Sequence, residues 1–384
     1  MQGATILPLL LLLPLPARAV SPEAERKVMA GLEAGYGLDF KAAAAAFAEA
    51  DLAAPDHPVG PFFLGSLKWL EFSLNADLPQ TAKSMEPEFD RLMDRTFARA
   101  SAMLKADSKN AEAHFYMGAA YGMRGRWKMT KRQWIRAASD GWKGYKHLKQ
   151  AVDIDPNFYD AYLGLGMYDY YSDKLPGVLK LASSLLIVRG DKERGLRYVK
   201  LSVEKGHYSV MEAKLFLIGI YMAYEKQPQR ALEILKEMRL EMPNNLFLLY
   251  MEVAARTHAQ DWFAATAFAE DLVAKAHEHE FARPHIPLFE VYLADAYLGA
   301  KDYGRARAIA DRCVEMAADP RRAAVTYCRL RRAQASDLMG NRESAVKDYA
   351  FVAKRPDFWD SEDKAKRGLK SPADYERILG ELLE

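Results

Sequence analysis

Cysteine is almost absent from this sequence: only Cys313 and Cys328 occur among its 384 residues. Two cysteines exclude a disulfide-rich scaffold and a zinc ribbon, which need more bridges or more sulfur ligands. The residues around both cysteines predict consecutive packed helices, so the two sulfur atoms can lie close together. The sequence leaves two arrangements open, a disulfide or a pair of buried thiols.

An excess of one charge is also missing. Lys and Arg number 54 and Asp and Glu number 52, so the formal net charge is +2. This balance lacks the basic character of most nucleic-acid-binding proteins, and we expect no nucleic-acid partner. Hydrophobic residues make up 50% of the chain, which is enough for a large core and too much for a disordered protein.

Apolar runs of the length that a membrane-spanning helix needs, about 20 residues, do not occur in the chain. The Leu-rich run at residues 6–15 is shorter, and the small-x-small sequence Ala17-Arg18-Ala19 follows it. This pattern predicts a cleavable signal peptide covering residues 1–19. Because no Cys follows the run, we expect no lipoprotein anchor. The predicted location is therefore the periplasm or the extracellular space.

Motifs for catalysis and for metal binding are missing as well. The sequence contains no G-x-S-x-G, no phosphate-binding loop and no dinucleotide-binding glycine turn. The segment His277-Glu278-His279-Glu280, with His285 nearby, does not form H-E-x-x-H, and residues two apart diverge on a helix. We expect no enzymatic activity, no metal site and no cofactor.

What the chain does contain is a repeat of small and large residues at fixed spacing. One part of the pattern occurs at His114-x2-Met117-Gly118-x2-Tyr121 and at Tyr162-x2-Leu165-Gly166. The other part, an alanine followed four residues later by a large residue, occurs at Ala43/Phe47, Ala231/Leu235 and Ala345/Tyr349. The small residues allow two antiparallel helices to approach, and the large ones fill the spaces opposite.

This pattern resembles the tetratricopeptide-repeat family, over nearly the whole chain after residue 19. The resemblance implies an all-α, right-handed superhelical solenoid that forms a single domain over residues 20–384. About eight helix pairs are expected, near residues 24–57, 58–109, 111–156, 159–208, 210–243, 246–279, 286–320 and 323–357. A last helix at 371–384 would cap the end, because it has one apolar face formed by Tyr375, Ile378, Leu379, Leu382 and Leu383.

The early pairs, over residues 24–208, are longer than the family's repeat, whereas those over 210–357 are near-regular. Each early pair carries about twelve to twenty extra residues, and insertions in repeat proteins often lie on the binding face. We therefore place the predicted partner-binding residues in the first half of the chain.

One insertion, residues 124–149, mixes basic and aromatic residues. Its predicted partner-binding residues are Arg124, Trp127, Arg132 and Arg136, which could bind an anionic ligand beside stacking rings. In the alternative interpretation, Trp127, Trp134 and Trp142 form one buried stripe on a helix and the bases face water. The sequence alone does not decide between these two interpretations.

Another insertion begins at Tyr168 and continues through an apolar segment, Leu175–Val188, to Gly190-Asp191-Lys192-Glu193-Arg194-Gly195-Leu196. It resembles a tetratricopeptide subfamily with bacterial members and with eukaryotic relatives linked to inclusion-body and lipid-droplet clearance. That resemblance implies no enzymatic activity. The apolar segment either folds into the solenoid groove or contacts a membrane or partner. The predicted partner-binding residues here are Tyr168, Tyr170, Tyr171 and Asp173.

The prediction for function is an exported scaffold that binds a peptide or a helix of a protein partner in its concave groove. Two alternatives remain. The chain could be an envelope-associated module that binds anionic lipid or a cell-wall polymer, or a structural subunit of an envelope complex. The identity of the partner cannot be deduced from the fold.

Overall fold

The computed structural model is helical throughout its described part, which contains no β-strand. It describes residues 20–75, 81–174, 190–317, 319, 322–356 and 360–383. The predicted signal peptide (1–19) and the apolar segment 175–188 lie outside the described residues. The all-α class predicted from the sequence is confirmed.

The described helices follow the predicted pairs closely. The early ones are α1 (Pro22–Tyr36), α2 (Phe40–Ala53), α3 (Val59–Leu74), α4 (Thr81–Ala106), α5 (Ala111–Thr130), α6 (Trp134–Ile154), α7 (Asp160–Lys174) and α8 (Lys192–Lys205). The later ones are α9 (Val210–Ala223), α10 (Pro228–Glu241), α11 (Leu246–His258), α12 (Trp262–Glu278), α13 (Ile286–Gly299), α14 (Tyr303–Met316), α15 (Ala323–Leu338), α16 (Arg342–Val352), α17 (Ser361–Lys370) and α18 (Tyr375–Leu383). A single 3-10 turn, Arg283–His285, precedes α13.

The turns inside the helix pairs share one construction. In the six pairs whose turns are described in full, one residue of the turn has positive φ, namely Leu38, Arg132, Lys226, Gln260, Lys301 or Gly340. Five positions later comes a buried alanine, namely Ala43, Ala137, Ala231, Ala265, Ala306 or Ala345. The left-handed residue ends the first helix, and the alanine allows the second helix to pack closely against it.

Short polar side chains start the second helices of several pairs. The side chains of Asp39, Asp261, Asp302 and Asn341 each accept a hydrogen bond from the backbone N–H three residues later. Such caps satisfy N–H groups that have no partner within the helix. Local sequence therefore sets both the end of one helix and the start of the next.

The pair α5–α6 is longer than the later pairs. Its helices contain 20 and 21 residues, against 14 and 14 in the pair α9–α10. The helices approach closely at two levels, with Gly125 against Ala137 near the turn and Gly118 against Gly144 farther from it. A Cβ at Gly118 would overlap the carbonyl of Gly144, so this level requires glycine.

Helix α7 packs beside the level that is farther from the turn. Leu148 of α6 lies against Gly118 and also against Gly164 of α7, and a Cβ on either glycine would overlap its side chain. Tyr168 of α7 also reaches Gly141, which lies next to Gly125, so α7 contacts the level near the turn as well. At 1.5 Å per residue, the seven residues from Gly118 to Gly125 add roughly 10 Å of helix.

The chain forms two compact units. One contains the described residues of Met1–Gly31, Ala44–Ser66 and Asp90–Tyr198, and the other contains those of Leu32–Ala43, Leu67–Phe89 and Val199–Glu384. Within the second unit, Cys313 of α14 and Cys328 of α15 form a disulfide. Of the two arrangements that the sequence leaves open, the structure has the bridged one.

The end of the chain differs from the prediction. Helix α17 was not predicted from the sequence, and it packs on α15 and α16 as the next helix of the repeat series. The predicted terminal helix exists as α18. It packs on α11 and α13, which are the first helices of earlier pairs. The predicted helix is present, and its partners could not be predicted, because periodicity reveals an apolar face but not the surface that covers it.

Candidate partner-binding surfaces

The first candidate surface is a groove in the second unit. The first helices α11, α13 and α15 pack side by side, and α18 lies on the face that they form. We call this face the groove. Tetratricopeptide-like proteins use the corresponding face, lined by the first helices of successive pairs, as their extended binding surface. In this chain, part of that face is covered by the chain's own C-terminal helix.

The apolar side of α18 is buried in the groove. Ile378 is fully buried and Leu382 is 6% exposed, and they are one helical turn apart. The same cluster contains buried residues of the groove helices, among them Leu249, Val253, Leu293, Tyr297 and Ala335. The contact has the pattern of an amphipathic helix bound in a hydrophobic groove, with apolar anchors at i and i+4.

A chain of buried polar groups lies next to these anchors. Arg331 of α15 forms an ion pair with Asp295 of α13, and its Nη1 donates a hydrogen bond of 2.9 Å to Gln334 Oε1. Gln334 Nε2 then donates to Glu381 Oε2 of α18 at 2.6 Å, and Arg367 Nη2 of α17 donates to the other carboxylate oxygen at 3.1 Å. The groove therefore holds both the apolar face of a helix and one carboxylate beside it.

The charge of Arg331 is maintained although the side chain is buried. Burial by itself would lower the pKa of the guanidinium, but the adjacent Asp295 carboxylate outweighs burial and raises the pKa. A buried charge is tolerated only when it is paired and hydrogen-bonded. The groove thus keeps a fixed positive group close to the carboxylate of α18.

Helix α18 is also anchored by contacts at its N-terminal end. Tyr375 Oη donates a hydrogen bond of 2.8 Å to the carbonyl of Gly299, and the backbone N–H of Ala373 donates to Asp337 Oδ2 at 2.8 Å. The ammonium of Lys301 lies 4.2 Å from the centre of the Tyr375 ring. Sequence reasoning predicted a concave binding groove but missed the residues of this one, because its polar residues, such as Gln334, stand in helices without a recognisable motif.

The predicted partner-binding residues lie in the other unit, and the structure gives them different roles. Arg124 binds Asp140 through two hydrogen bonds, of 2.8 and 3.1 Å, and Lys128 binds the same carboxylate. Burial would raise the pKa of Asp140, but the hydrogen bonds from Arg124 and Lys128 outweigh burial and lower it. These three residues brace α5 against α6, so the charge of Arg124 is neutralised within the hairpin.

The interpretation in which three tryptophans form one buried stripe is wrong. A turn at residues 131–133 separates α5 from α6, so the tryptophans do not share a helix. Trp127 of α5 is buried at 2% exposure, whereas Trp134 of α6 is 55% exposed. The exposed members of the predicted set in this hairpin are Arg132 and Arg136, which lie beside Trp134.

The tyrosines of α7 also separate. Tyr168 packs against Tyr145 and Trp142, with ring centres 4.6 and 6.4 Å apart. Tyr170 is fully buried and belongs to the core, while Tyr171 is 38% exposed. Asp173 is half-buried near the end of the helix.

The segment that follows has a structural role. Asp169, fully buried on α7, accepts two hydrogen bonds of 2.6 Å from Arg194 of α8. Gly195 lies against the backbone of Gly166, where a Cβ would not fit, and Asp191 caps α8 through the N–H of Arg194. The Gly-Asp-Lys-Glu-Arg-Gly sequence thus docks α8 on α7.

Two features are missing from the described residues. They contain no group of three or more His, Cys, Asp or Glu side chains able to hold a metal ion. None of their helices has the length and apolar composition needed to cross a bilayer.

Comparisons with known proteins give only remote structural likenesses. No protein-family model matches the sequence, and no curated protein matches it. Among solved structures, human IFIT1 in a dimer with PPP-AAAA is 13% identical with a TM-score of 0.46, and the alignment covers 91% of this chain and 81% of that one. Yeast Tom70 is 10% identical with a TM-score of 0.42, covering 91% and 89%. A tetratricopeptide repeat protein from Parabacteroides merdae is 11% identical with a TM-score of 0.26, covering 94% and 98%.

These likenesses concern the fold alone, since their identities lie between 10% and 13%. The fold is assigned from the chain itself, because its turns recur with one construction and its helices pack in close pairs. The chain has a tetratricopeptide-like helical-repeat fold.

Proposed function

We propose that this chain is an exported protein-binding scaffold whose groove binds an amphipathic helix of a protein partner. The observation that carries the proposal is α18, which already occupies the groove through Ile378 and Leu382 and through the carboxylate of Glu381. In this proposal α18 is the chain's own occupant of the site, and the partner helix replaces it.

The size of α18 supports its replacement. The helix has nine residues and packs on the first helices of earlier pairs without belonging to a pair itself. Isolated helices shorter than about 12 residues are marginal in water, so α18 depends on the groove for its structure. A longer partner helix with the same apolar spacing would bury more surface than α18 does.

The disulfide supports export. Bridges such as Cys313–Cys328 persist in oxidising compartments and are rare in the cytosol. This agrees with the signal peptide predicted at residues 1–19. A periplasmic or extracellular location is therefore part of the proposal.

The first test uses the groove's own occupant as the probe. A labelled peptide of residues 371–384 is titrated with the full chain and with the Ile378→Asp/Leu382→Asp variant, and fluorescence anisotropy is measured. The variant should bind the peptide at least tenfold more tightly, because the attached α18 competes in the wild type at an effective concentration of about millimolar. Glu376→Ala, an exposed change on the same helix, is the matched control and should behave as wild type.

A second step tests for a partner. The wild type and the Ile378→Asp/Leu382→Asp variant, which we call the release variant, are used to capture proteins from an envelope extract. Each capture is done with and without excess peptide. A protein retained more strongly by the release variant and displaced by the peptide would support the proposal. Failure of the release variant to bind the peptide, with circular dichroism unchanged, would contradict it.

A further inference from the structure

The turn between α5 and α6 carries an exposed apolar surface. We call residues 129–136 the tip. Ile135 is 86% exposed, Trp134 is 55% exposed and Met129 is 45% exposed. Large apolar side chains grouped this way on a soluble surface usually mark a site of interaction.

The tip is rigid. Arg132 has a φ of +58°, its N–H donates to the carbonyl of Met129, and the N–H of Gln133 donates to the carbonyl of Lys128. These two hydrogen bonds form a Schellman turn, which fixes the end of α5. Asp140 braces both helices just below the turn, so the tip is presented as a preformed surface.

The tip is also positively charged. No Asp or Glu occurs between Glu112 and Asp140, and Asp140 is occupied by Arg124 and Lys128. The tip carries the exposed cations Lys131, Arg132 and Arg136, and the nearby acids Asp90 and Asp94 of α4 act on Arg124 and Lys128 farther from the turn. The surface therefore combines apolar side chains with a local excess of positive charge.

A second turn provides an internal comparison. Phe263 occupies the position of Ile135 in the α11–α12 turn, three residues after the positive-φ residue, and it is 88% exposed. Its neighbours are Gln260 and Asp261 instead of arginine. Exposure of one apolar residue is thus common to both turns, whereas the positive charge is particular to the tip.

We propose that the tip binds the surface of an anionic phospholipid bilayer. Trp134 and Ile135 enter the headgroup region, and Arg132 and Arg136 contact lipid phosphates. Tryptophan and basic residues are the side chains favoured at this depth, and polybasic surfaces are attracted to anionic leaflets. A soluble anionic polymer would leave Trp134 and Ile135 in water. A peptide partner is also disfavoured, because the tip is a turn between two helices and not a groove that could enclose a peptide.

The test is sedimentation of the oxidised protein without the predicted signal peptide (residues 20–384) with vesicles. Vesicles of phosphatidylcholine alone are compared with vesicles in which about one third of the lipid is phosphatidylglycerol. Binding should occur only to the anionic vesicles and should weaken as salt is raised. Trp134→Ser/Ile135→Ser and Arg132→Gln/Arg136→Gln should each lower the partition coefficient by roughly tenfold or more. Phe263→Ser, the matched exposed control, should leave it unchanged.

Three outcomes would overturn the proposal. The wild type could fail to sediment with anionic vesicles at low salt, or bind neutral vesicles equally well. Phe263→Ser could lower binding as much as the changes in the tip. Vesicle binding could be absent while Trp134→Ser/Ile135→Ser abolishes capture of a protein from the extract, which would assign the tip to a protein partner. None of these results depends on the groove.

Discussion

The side-chain amide of Gln334 donates a hydrogen bond of 2.6 Å to the carboxylate of Glu381, and both residues are buried. This contact joins a repeat helix to the last helix of the chain, 47 residues later. An acid on an otherwise apolar helix face is costly to bury unless it is paired. The position of α18 along the groove is therefore set both by its apolar contacts and by the groups that pair with Glu381.

Glu381→Ala should loosen α18. The change leaves the Gln334 amide without its acceptor and removes a partner of Arg367, so we expect a loss of about 1–3 kcal/mol in the free energy of unfolding. Urea denaturation measures the loss, and hydrogen exchange of the α18 amides locates it. Glu376→Ala is the control and should change stability by no more than about 0.5 kcal/mol. Equal stability of the two variants would contradict a role for the Gln334–Glu381 contact.

Gln260→Gly should stabilise the chain. Gln260 has a φ of +56°, a conformation that costs a residue with a Cβ about 1 kcal/mol and costs glycine almost nothing. We expect a gain of about 0.5–1 kcal/mol, reduced by the greater freedom of glycine in the unfolded chain. Gln260→Ala keeps the Cβ and should give no gain. A gain with alanine as large as with glycine would show that the conformation of the turn is not the cause.

The repeat was predictable from the sequence because it is local. The alanine of each second helix and the turn before it recur at fixed spacing, as at Ala265 and Ala306, and the helix bounds follow from them. The residues that decide the groove were not predictable in this way. Arg331 and Glu381 are 50 positions apart, and nothing in their local sequence indicates that both are buried near Gln334.

The predicted surface residues show the same limit. Basic and aromatic residues alternate through α5 and α6, but their exposure depends on the turn at 131–133 and on Asp140 across the hairpin. Arg124 is neutralised and Trp127 is buried, whereas Arg132 and Arg136 remain at the surface. Composition identifies the segment, but only the packing of the hairpin determines which of its residues are buried or paired and which are exposed.

Stability should fall as the pH is lowered through the range in which His147 titrates. Burial first, and then the neighbouring His114 and Lys146, lower the pKa of His147 from 6.5 to about 4. Between these values the unfolded chain binds a proton that the folded chain does not, so stability is complete above pH 6.5 and declines toward pH 4. Because the ring is only partly buried, we expect a loss of about 2 kcal/mol at most.

His147→Asn removes this titration. The difference in unfolding free energy between pH 7 and pH 4.5 should be smaller in the variant by about 1–2 kcal/mol, measured by urea denaturation at both pH values. Lys143→Gln, an exposed change on the same helix, should keep the wild-type difference. An unchanged pH dependence in His147→Asn would mean that the ring is protonated as easily in the folded chain as in the unfolded one.

Asp169→Asn should destabilise the first unit strongly. The carboxylate is fully buried and binds Arg194 at two points, so its loss leaves a charge without its partner between α7 and α8. Because Arg194 is partly exposed, we expect a cost of about 2–4 kcal/mol. Asp153→Asn breaks an exposed pair with Lys149 on α6 and should cost about 0.5 kcal/mol or less. Similar costs for both changes would refute a structural role for the buried pair.

Reduction of the disulfide should weaken the second unit. Cys313 and Cys328 are separated by 15 residues, and closing a loop of this length stabilises a fold by about 3 kcal/mol in the chain-entropy account. Thermal unfolding with and without reductant measures the effect, and the Cys313→Ala/Cys328→Ala variant should be insensitive to reductant because it has no bridge to lose. Two free thiols in protein isolated from an oxidising compartment would contradict the bridge, and with it the support that the bridge gives to export.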